Sequence, residues 1–296
     1  MPAFTDHAIV AGIDGSASAR RAAVWAGAEA VRRGRPLRLV QVYALPQVKA
    51  PVAFGAHDQV RAGLAGRAAE WLAEAEAAVL AEHPGLEVVA AAREWSPVTA
   101  LVQESQHAEL VVLGSRGLGG FTGLLVGSTA VAVAAHAHCP IAVVRGRTPD
   151  APPPHTGPVI VGTDGSPDSE AAIAFACEEA RLRGTALVVV HTWSDVLADG
   201  MLRPHPLAED PVRIAAEERA RLAEQVVGWQ RKCLDLPIEL EVVRGRPVRT
   251  LLDRGEDAQL IVVGSRGRGG FTGMLLGSTS QALIAHSPCP VAVVRP

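Results

Sequence analysis

The sequence predicts an α/β protein made of two tandem open parallel sheets of five strands, with helices on both faces of each sheet. Short apolar runs alternate with longer segments of helical composition, which is typical of parallel strands joined by right-handed helical crossovers. The whole pattern then recurs 150 residues later. Residues 114–129 and 264–279 are identical at 13 of 16 positions.

Each half begins with a predicted strand, a capped helix and a second strand. A Ser or Asp precedes the helix as N-cap, and Gly34 or Gly184 follows it as terminator. The second strand is apolar on nearly every residue, as expected for a parallel strand buried on both faces. The predicted bounds are 7–13, 18–33 and 37–43 in the first half, and from 159, 169–183 and 187–193 in the second.

The two halves then diverge in a loop and converge again. Residues 44–58 and 194–210 are Pro-bearing loops with little in common. Loops often carry the residues that give related domains different functions. Pro97 and Pro247 each mark the first turn of a short helix. The remaining predicted elements are 59–82, 87–92, 96 onward, 110–113, 128–135 and 139–145, then 211–233, 239–243, 246 onward, 260–263, 278–285 and 289–295.

Composition and length predict two domains and exclude several classes of protein. The bounds are 1–146 and 158–296, with a stiff Pro-rich linker at 147–157. A net charge of −3 argues against a nucleic-acid partner. The sequence has no apolar run of about 18 residues and no signal peptide, which predicts a cytoplasmic protein without a membrane span. Cys139, Cys177, Cys233 and Cys289 have no CxxC spacing and are predicted to be thiols.

The glycine-rich segment between the fourth strand and the following helix predicts a phosphate site. It reads G-x2-G-x9-G-S through Gly114, Gly117, Gly127 and Ser128, and it recurs in the second half. Glycine allows a ligand to approach backbone amides, and the helix that follows favours an anion at its N-terminus. The glycines could be turn formers alone. Six glycines within 14 residues, kept in register twice, favour the phosphate site.

Asp14 and Asp164 follow the first strands, and in open α/β sheets ligands bind beyond strand ends at the point where strand order reverses. If the first and fourth strands are neighbours, Asp14 and Gly114 meet there. The aspartates could instead only cap a turn, and the two roles can coexist. Gly12 and Gly162 lie inside strands, where glycine is unfavourable unless something passes close to the backbone.

Three further groups of residues near the glycine segment and the strand ends each have two interpretations. Arg116, Arg266 and Arg268 are either phosphate ligands or solvated loop charges. Tyr43 and Trp193 occupy one repeat position and either pack or provide a stacking surface for a base. His136, His138 and Cys139 resemble a metal site, but the second half has Pro288 in place of His138, so no metal cluster is expected.

The strand ending in AGIDGS, the G-x2-G-x9-G-S segment and the closing CPIAVVR resemble the universal stress protein family, twice over nearly the whole chain. The resemblance implies the ATP-binding branch and sheets in the order 3-2-1-4-5, related by a pseudo-twofold axis. It implies that the glycine segment and its Ser hold phosphates, with Mg²⁺ possible at Ser128 and Ser278. Asp14 would then contact the ribose, and the Val42 backbone the adenine. In the second half Thr192 has the position of Val42. The different side chain matters little, because the implied contact with adenine is through the main chain.

The implied nucleotide site of the first half comprises Gly12, Asp14, Val42, Gly114, Ser115, Arg116, Gly117, Gly119, Gly120, Gly127, Ser128 and Thr129. That of the second half comprises Gly162, Asp164, Thr192, Gly264, Ser265, Arg266, Gly267, Gly269, Gly270, Gly277, Ser278 and Thr279.

The function that the resemblance implies is a nucleotide-dependent regulator in stress or dormancy, acting as a homodimer with a regulatory protein partner. Two alternatives remain at this point: an enzyme that hydrolyses or adenylates slowly, and a structural dimerisation module. The sequence has no P-loop Gly-Lys-Ser/Thr and no evident water-activating pair, so at most weak ATP hydrolysis is expected.

The last strand of each half, 139–145 and 289–295, is apolar yet ends its sheet. Because an exposed apolar edge is an aggregation hazard, we expect these two strands to pair with each other.

Overall fold

A computed structural model describes residues 6–45, 56–117, 127–148, 150–193, 211–268 and 275–296. The chain divides between Pro153 and Pro154 into two compact units. Most of the divergent loops predicted at 44–58 and 194–210 lies outside the described residues.

The first unit is a five-stranded parallel sheet in the order β3-β2-β1-β4-β5. Its elements are β1 (Ile9–Ile13), α1 (Ala17–Arg33), β2 (Leu37–Tyr43), α2 (Ala56–Glu82), β3 (Val88–Glu94), α3 (Pro97–Glu104), β4 (Leu110–Gly114), α4 (Ser128–His136) and β5 (Ile141–Val144).

The second unit repeats this topology in the order β8-β7-β6-β9-β10. Its elements are β6 (Val159–Thr163), α5 (Pro167–Arg183), β7 (Leu187–Trp193), α6 (Pro211–Lys232), β8 (Ile238–Arg244), α7 (Pro247–Gly255), β9 (Leu260–Gly264), α8 (Ser278–His286) and β10 (Val291–Val294). Among the described residues, no helix has the length and apolar character needed to cross a membrane.

The predicted fold class and strand order are confirmed, and the differences lie at element ends. Helix α1 begins one residue earlier than predicted because Ser16 is its N-cap and accepts a hydrogen bond from the Ala19 amide at 3.0 Å. Gly34 ends the helix in the left-handed conformation at φ 61°, as the sequence predicts. Pairing of the two terminal strands and the pseudo-twofold axis stay predictions.

The four cysteines are free thiols, as the sequence predicts. Burial raises the pKa of the Cys139 and Cys177 thiols to about 12. Since the thiolate is the reactive form, these two side chains are inert packing groups near neutral pH.

A buried ion pair distinguishes the core of the first unit from that of the second. On β2, Arg38 is 1% exposed and donates from Nε to Glu104 Oε2 at 3.0 Å. Arg93 contacts the other oxygen of Glu104 at 2.7 Å. Arg38 Nη1 is buried without a hydrogen-bond partner among the described residues, so the guanidinium depends on Glu104. In the second unit, Val188 occupies the position equivalent to Arg38.

Replacing Glu104 with Ala should therefore destabilise the first unit by about 3–5 kcal/mol, because it leaves a buried guanidinium without its carboxylate. Protection of the β1 and β2 amides against hydrogen exchange is the measurement, since it reports on this unit. The equivalent residue Arg254 is half-exposed and pairs with Glu241 at 2.8 Å. As a control, Arg254→Ala should cost the second unit no more than about 1 kcal/mol, measured by the protection of the β6 and β7 amides. Equal losses in the two variants would contradict the assigned role of Glu104.

Candidate functional site

The candidate site lies where two neighbouring parallel strands end at the same edge of each sheet. Strand β1 pairs with β4, with Ile9 opposite Leu110, and β6 pairs with β9 in the same way. Asp14 directly follows β1, and Gly114 ends β4. Because β2 and β4 flank β1 on opposite sides, this edge is the point of reversal at which α/β sheets bind ligands.

Both aspartates are fixed by backbone amides. In each unit the first carboxylate oxygen accepts a hydrogen bond at 3.0 Å, Asp14 from the Ser16 amide and Asp164 from the Ser166 amide. The second oxygen of Asp164 also accepts from the Arg268 amide at 2.6 Å. The turn-capping interpretation of these residues is therefore correct for their local structure, and it leaves further lone pairs on each carboxylate.

The second glycine of the motif lies directly against the aspartate. A Cβ atom built on Gly117 would overlap Asp14 Oδ2, and one built on Gly267 would overlap Asp164 Oδ2. A side chain at either position would thus displace the carboxylate. This contact explains why both repeats have glycine there.

The charge of Asp164 is stabilised by its hydrogen bonds. Burial alone would raise the pKa of this carboxyl, but the hydrogen bonds that it accepts from Ser166 and from the Arg268 amide outweigh burial. The pKa of Asp164 is consequently lower than its ordinary value of 3.8. The side chain is an anion at neutral pH.

The third glycine of the motif forms a hydrogen bond with a residue at the start of the glycine segment. The Gly127 amide donates to the Ser115 carbonyl at 2.9 Å, and the Gly277 amide donates to the Ser265 carbonyl at 2.7 Å. These two amides are therefore occupied by the protein.

Gly127 and Gly277 are the N-caps of α4 and α8, and neither helix has a side-chain cap. The first backbone amides of a helix have no intrahelical partner. The amides at the start of α4 and α8 can therefore face an anion. Ser128 and Ser278 are exposed, whereas Thr129 and Thr279 are half-buried.

The start of the glycine segment packs against the helix that follows the first strand. A Cβ on Gly114 would come within 2.8 Å of the Ser18 and Ala19 backbone, and one on Gly264 within 2.8 Å of the Asp168 backbone. Ser115 and Ser265 are buried. In the part of the site that the structure describes, these four residues position the loop.

The arginine at the next position is anchored differently in the two units. The Arg116 amide lies 3.4 Å from Ser18 Oγ. Asp168 replaces Ser18 in the second unit and accepts from Ser265 Oγ at 2.8 Å and from the Arg266 amide at 3.1 Å. Arg266 Nε also lies 3.5 Å from Asp168 Oδ2. The Arg266 side chain therefore forms an ion pair within the protein, which neither interpretation of this arginine predicted.

Gly12 and Gly162 face leucines. A Cβ on Gly12 would overlap Leu113, and one on Gly162 would come within 2.8 Å of Leu251. Gly12 thus leaves room for the Leu113 side chain of the neighbouring strand β4, and Gly162 leaves room for the Leu251 side chain of α7.

The predicted adenine contacts, Val42 and Thr192, lie at the ends of β2 and β7. Since Ile13 is opposite Gln41, Val42 is level with Asp14. The Val42 carbonyl accepts from Gln41 Nε2 at 3.3 Å.

The remaining sequence predictions have mixed outcomes. Gly119, Gly120, Gly269 and Gly270 lie outside the described residues. The ring of Trp193 has the Arg244 guanidinium 5.7 Å from its centroid, which favours the packing interpretation of this position. Within the described ranges, no group of three or more His, Cys, Asp or Glu side chains could hold a metal ion.

One feature was missed by the sequence analysis. The second unit has a cavity of about 480 Å³ between α5 and α6, next to Asp164. The equivalent cleft of the first unit encloses about 10 Å³, because Trp71 lies against Gly15. Arg221 is the repeat equivalent of Trp71. Comparing the two repeats position by position along α2 and α6 would have revealed this substitution.

Comparison with known proteins agrees with this geometry. The model of the universal stress protein family matches residues 7–145 and again residues 156–295. A universal stress protein of Mycobacterium tuberculosis is 39% identical, with 98% of this chain and 97% of the relative covered. One from Mycolicibacterium smegmatis is 38% identical, with 99% and 98% covered. The crystal structure of a universal stress protein from Archaeoglobus fulgidus has a TM-score of 0.67 at 22% identity, with 99% of both chains covered.

Substituting Gly267 with Ala should raise the pKa of Asp164 towards its ordinary value, because the new Cβ displaces the carboxylate from the Arg268 amide. Carboxyl-carbon NMR titration of wild type and variant is the measurement. Since the folded-state pKa of Asp164 is lowered, its stabilising contribution is present above the unfolded-state pKa of about 3.9 and is lost as pH falls through the folded value. The variant should lose less stability across this acid range.

Gly228→Ala is the matched control, since a Cβ on Gly228 would meet nothing within 4 Å. It should leave the Asp164 titration unchanged. An unaltered Asp164 pKa in the Gly267→Ala variant would show that this contact does not hold the carboxylate.

Proposed function

Because this chain belongs to the universal stress protein family, we propose that each of its two units binds one ATP, together with Mg²⁺, and that the protein is a nucleotide-dependent regulator of a stress or dormancy response. The observation that carries the proposal is the convergence of Asp14, Gly117 and the glycine-capped start of α4 at one sheet edge, repeated at Asp164, Gly267 and α8. The homodimer and the regulatory protein partner belong to the same proposal.

The residues present fit a triphosphate. The amides of Ser128 and Thr129 begin a helix whose dipole favours an anion, and Gly127 has no side chain that would cover them. The Ser128 hydroxyl would supply one oxygen to Mg²⁺, which usually completes its octahedron with phosphate oxygens and waters. Ser278 and Thr279 would act in the same way in the second unit.

The residues present also suit a nucleoside. An ionised carboxylate accepts hydrogen bonds, so Asp14 and Asp164 can accept from ribose hydroxyls while they retain their backbone amide partners. Val42 and Thr192 would offer main-chain groups to adenine at the neighbouring strand end. The Val42 carbonyl, already bonded to Gln41, would share its second lone pair.

A regulator is favoured over an enzyme by the chemistry of these groups. A general base works best when its pKa is near the operating pH, and the pKa of Asp164 is lowered. The sequence also lacks the lysine of a P-loop. Bound ATP would supply charge and shape for recognition, and the described residues would orient it without activating water.

Titration calorimetry with Mg-ATP tests the two-site proposal, and we expect a stoichiometry near two per chain. Gly117→Asp and Gly267→Asp should each lower it to one, because the new side chain displaces the aspartate and adds a negative charge where phosphate would lie. Circular dichroism melting checks that each variant is folded, and Gly267→Ala serves as a milder second variant. A stoichiometry of one for wild type, unchanged in the Gly267 variants, would refute the second site.

Hydrolysis of ATP should be far slower than the roughly 10 s⁻¹ of a median enzyme. Single-turnover measurement of phosphate release with excess protein detects such slow rates. The Gly117→Asp and Gly267→Asp double variant is the control for a contaminating ATPase. Turnover near the median rate that disappears in this double variant would replace the regulator proposal with an enzymatic one.

A further inference from the structure

Two cysteines occur in the second unit at positions where the first unit has none. Cys177 lies on α5, and Cys233 directly follows α6. The residues 150 positions earlier are Gly27 and His83. The other two cysteines of the chain are repeat equivalents of each other, so Cys177 and Cys233 are peculiar to the second unit.

The fold places these two positions against each other. In the first unit, a Cβ atom built on Gly27 would be 3.0 Å from His83 Cδ2. The backbone at the end of the helix is the same in both units, because the His83 amide donates to the carbonyl four residues earlier at 2.8 Å and the Cys233 amide does so at 2.9 Å. The side chain at position 177 is therefore directed at position 233.

The thiols of Cys177 and Cys233 interact directly. Burial raises the pKa of Cys177 to about 12, and the Cys233 thiol adds to this shift through its charge and through a side-chain hydrogen bond. That hydrogen bond places the two sulfur atoms side by side, while both cysteines remain free thiols.

The two thiols differ in their access to solvent. Cys177 is 2% exposed, and because it stays protonated near neutral pH it is inert toward reagents in solution. Cys233 is half-buried, so a small oxidant can reach its sulfur. The accessible thiol therefore reacts first, with the buried thiol next to it.

We propose that Cys233 and Cys177 form a reversible oxidation site, in which hydrogen peroxide converts the two thiols into a disulfide between the end of α6 and α5. The observation that carries the proposal is the contact between an accessible thiol and a buried one. An accessible cysteine next to a second cysteine that can react with it is typical of redox-sensing sites. This site goes beyond the nucleotide proposal and contains no residue of the candidate nucleotide site.

The reaction balances with one molecule of peroxide. Cys233 Sγ attacks one peroxide oxygen, the O–O bond breaks and the sulfur loses two electrons, which gives a Cys233 sulfenic acid and one water. Cys177 reacts only then, when an electrophilic sulfur lies next to it. Its Sγ attacks Cys233 Sγ, so that the S–S bond forms and the S–O bond breaks, and the leaving hydroxide takes the Cys177 proton and departs as a second water. A dithiol reductant reverses the change by thiol–disulfide exchange.

A disulfide fits this thiol pair better than a metal ion does. A structural zinc site needs four ligands, and the pair supplies two. In the part of the chain that the structure describes, no group of three or more His, Cys, Asp or Glu side chains could hold a metal ion.

Mass spectrometry of the full-length protein tests the proposal, after treatment with hydrogen peroxide and alkylation of the remaining thiols in denaturant. We expect the protein to lose two hydrogens and to retain two of its four alkylatable thiols. Digestion without reductant should release a Cys177 peptide linked to a Cys233 peptide. Dithiothreitol should restore all four thiols.

Variants separate the roles of the two cysteines. Cys177→Ala should stop the reaction at the Cys233 sulfenic acid, which dimedone traps, and Cys233→Ser should remove both the dimedone adduct and the cross-link. Cys139→Ala is the matched control, since burial also raises the pKa of this thiol to about 12, and it should leave the cross-link unchanged. Circular dichroism melting checks that each variant is folded.

Hydrogen exchange of the wild type gives a second test that needs no variant. A cross-link restricts the unfolded chain, so the last amides of α6 should exchange at least about tenfold more slowly after oxidation, while the β1 and β2 amides of the first unit should not change. Retention of four free thiols in peroxide would overturn the proposal, as would a Cys233 sulfinic acid without the linked Cys177 peptide. A disulfide that joins Cys233 of two chains in place of the internal one would overturn it as well.

Discussion

Parallel pairing of β1 with β4, and of β6 with β9, is the interaction on which both candidate nucleotide sites depend. These strands are about 100 residues apart in sequence, yet their pairing places an aspartate and a glycine segment at one edge. The contact is close enough that Gly117 and Gly267 leave no room for a side chain beside the aspartates. Beside that contact the loop closes, where the Gly127 amide donates to the Ser115 carbonyl at the start of α4.

The two units are alike at this edge and differ in the residues that surround it. Arg38 and Glu104 form a buried ion pair in the first unit, whereas the second has Val188 and the exposed pair of Arg254 with Glu241. Between the first two helices of each unit, Trp71 and Arg20 fill a cleft that Arg221 and Glu170 leave open. The backbone edge tolerates little change because it is made of amides and glycines. The helix faces are free to exchange apolar for charged side chains.

Much of the site could be predicted from local pattern, and the errors have a common cause. The aspartates, the glycine motif and the helix start are each encoded in a few consecutive residues. The roles of Gly127, Ser265 and Arg266 were harder to predict. Each depends on a partner far along the chain or on loop closure, such as the Ser115 carbonyl for Gly127 and Asp168 for Ser265 and Arg266. Trp193 was ambiguous for the same reason, since its neighbour Arg244 lies on the next strand.

The sequence by itself determined the duplication, the alternation of strands and helices, and the glycine motif after each fourth strand, because these are local patterns that recur along the chain. Only the tertiary structure showed that the second glycine of each motif lies against an aspartate. Only the tertiary structure decided which of the two clefts is open. Arg20 and Glu74 meet across two helices 54 residues apart in sequence, and whether their equivalents attract or repel depends on that packing. The substitution of Glu170 for Arg20 is visible in the sequence. Its effect on the cleft follows from the packing of the two helices against each other, which the sequence does not show.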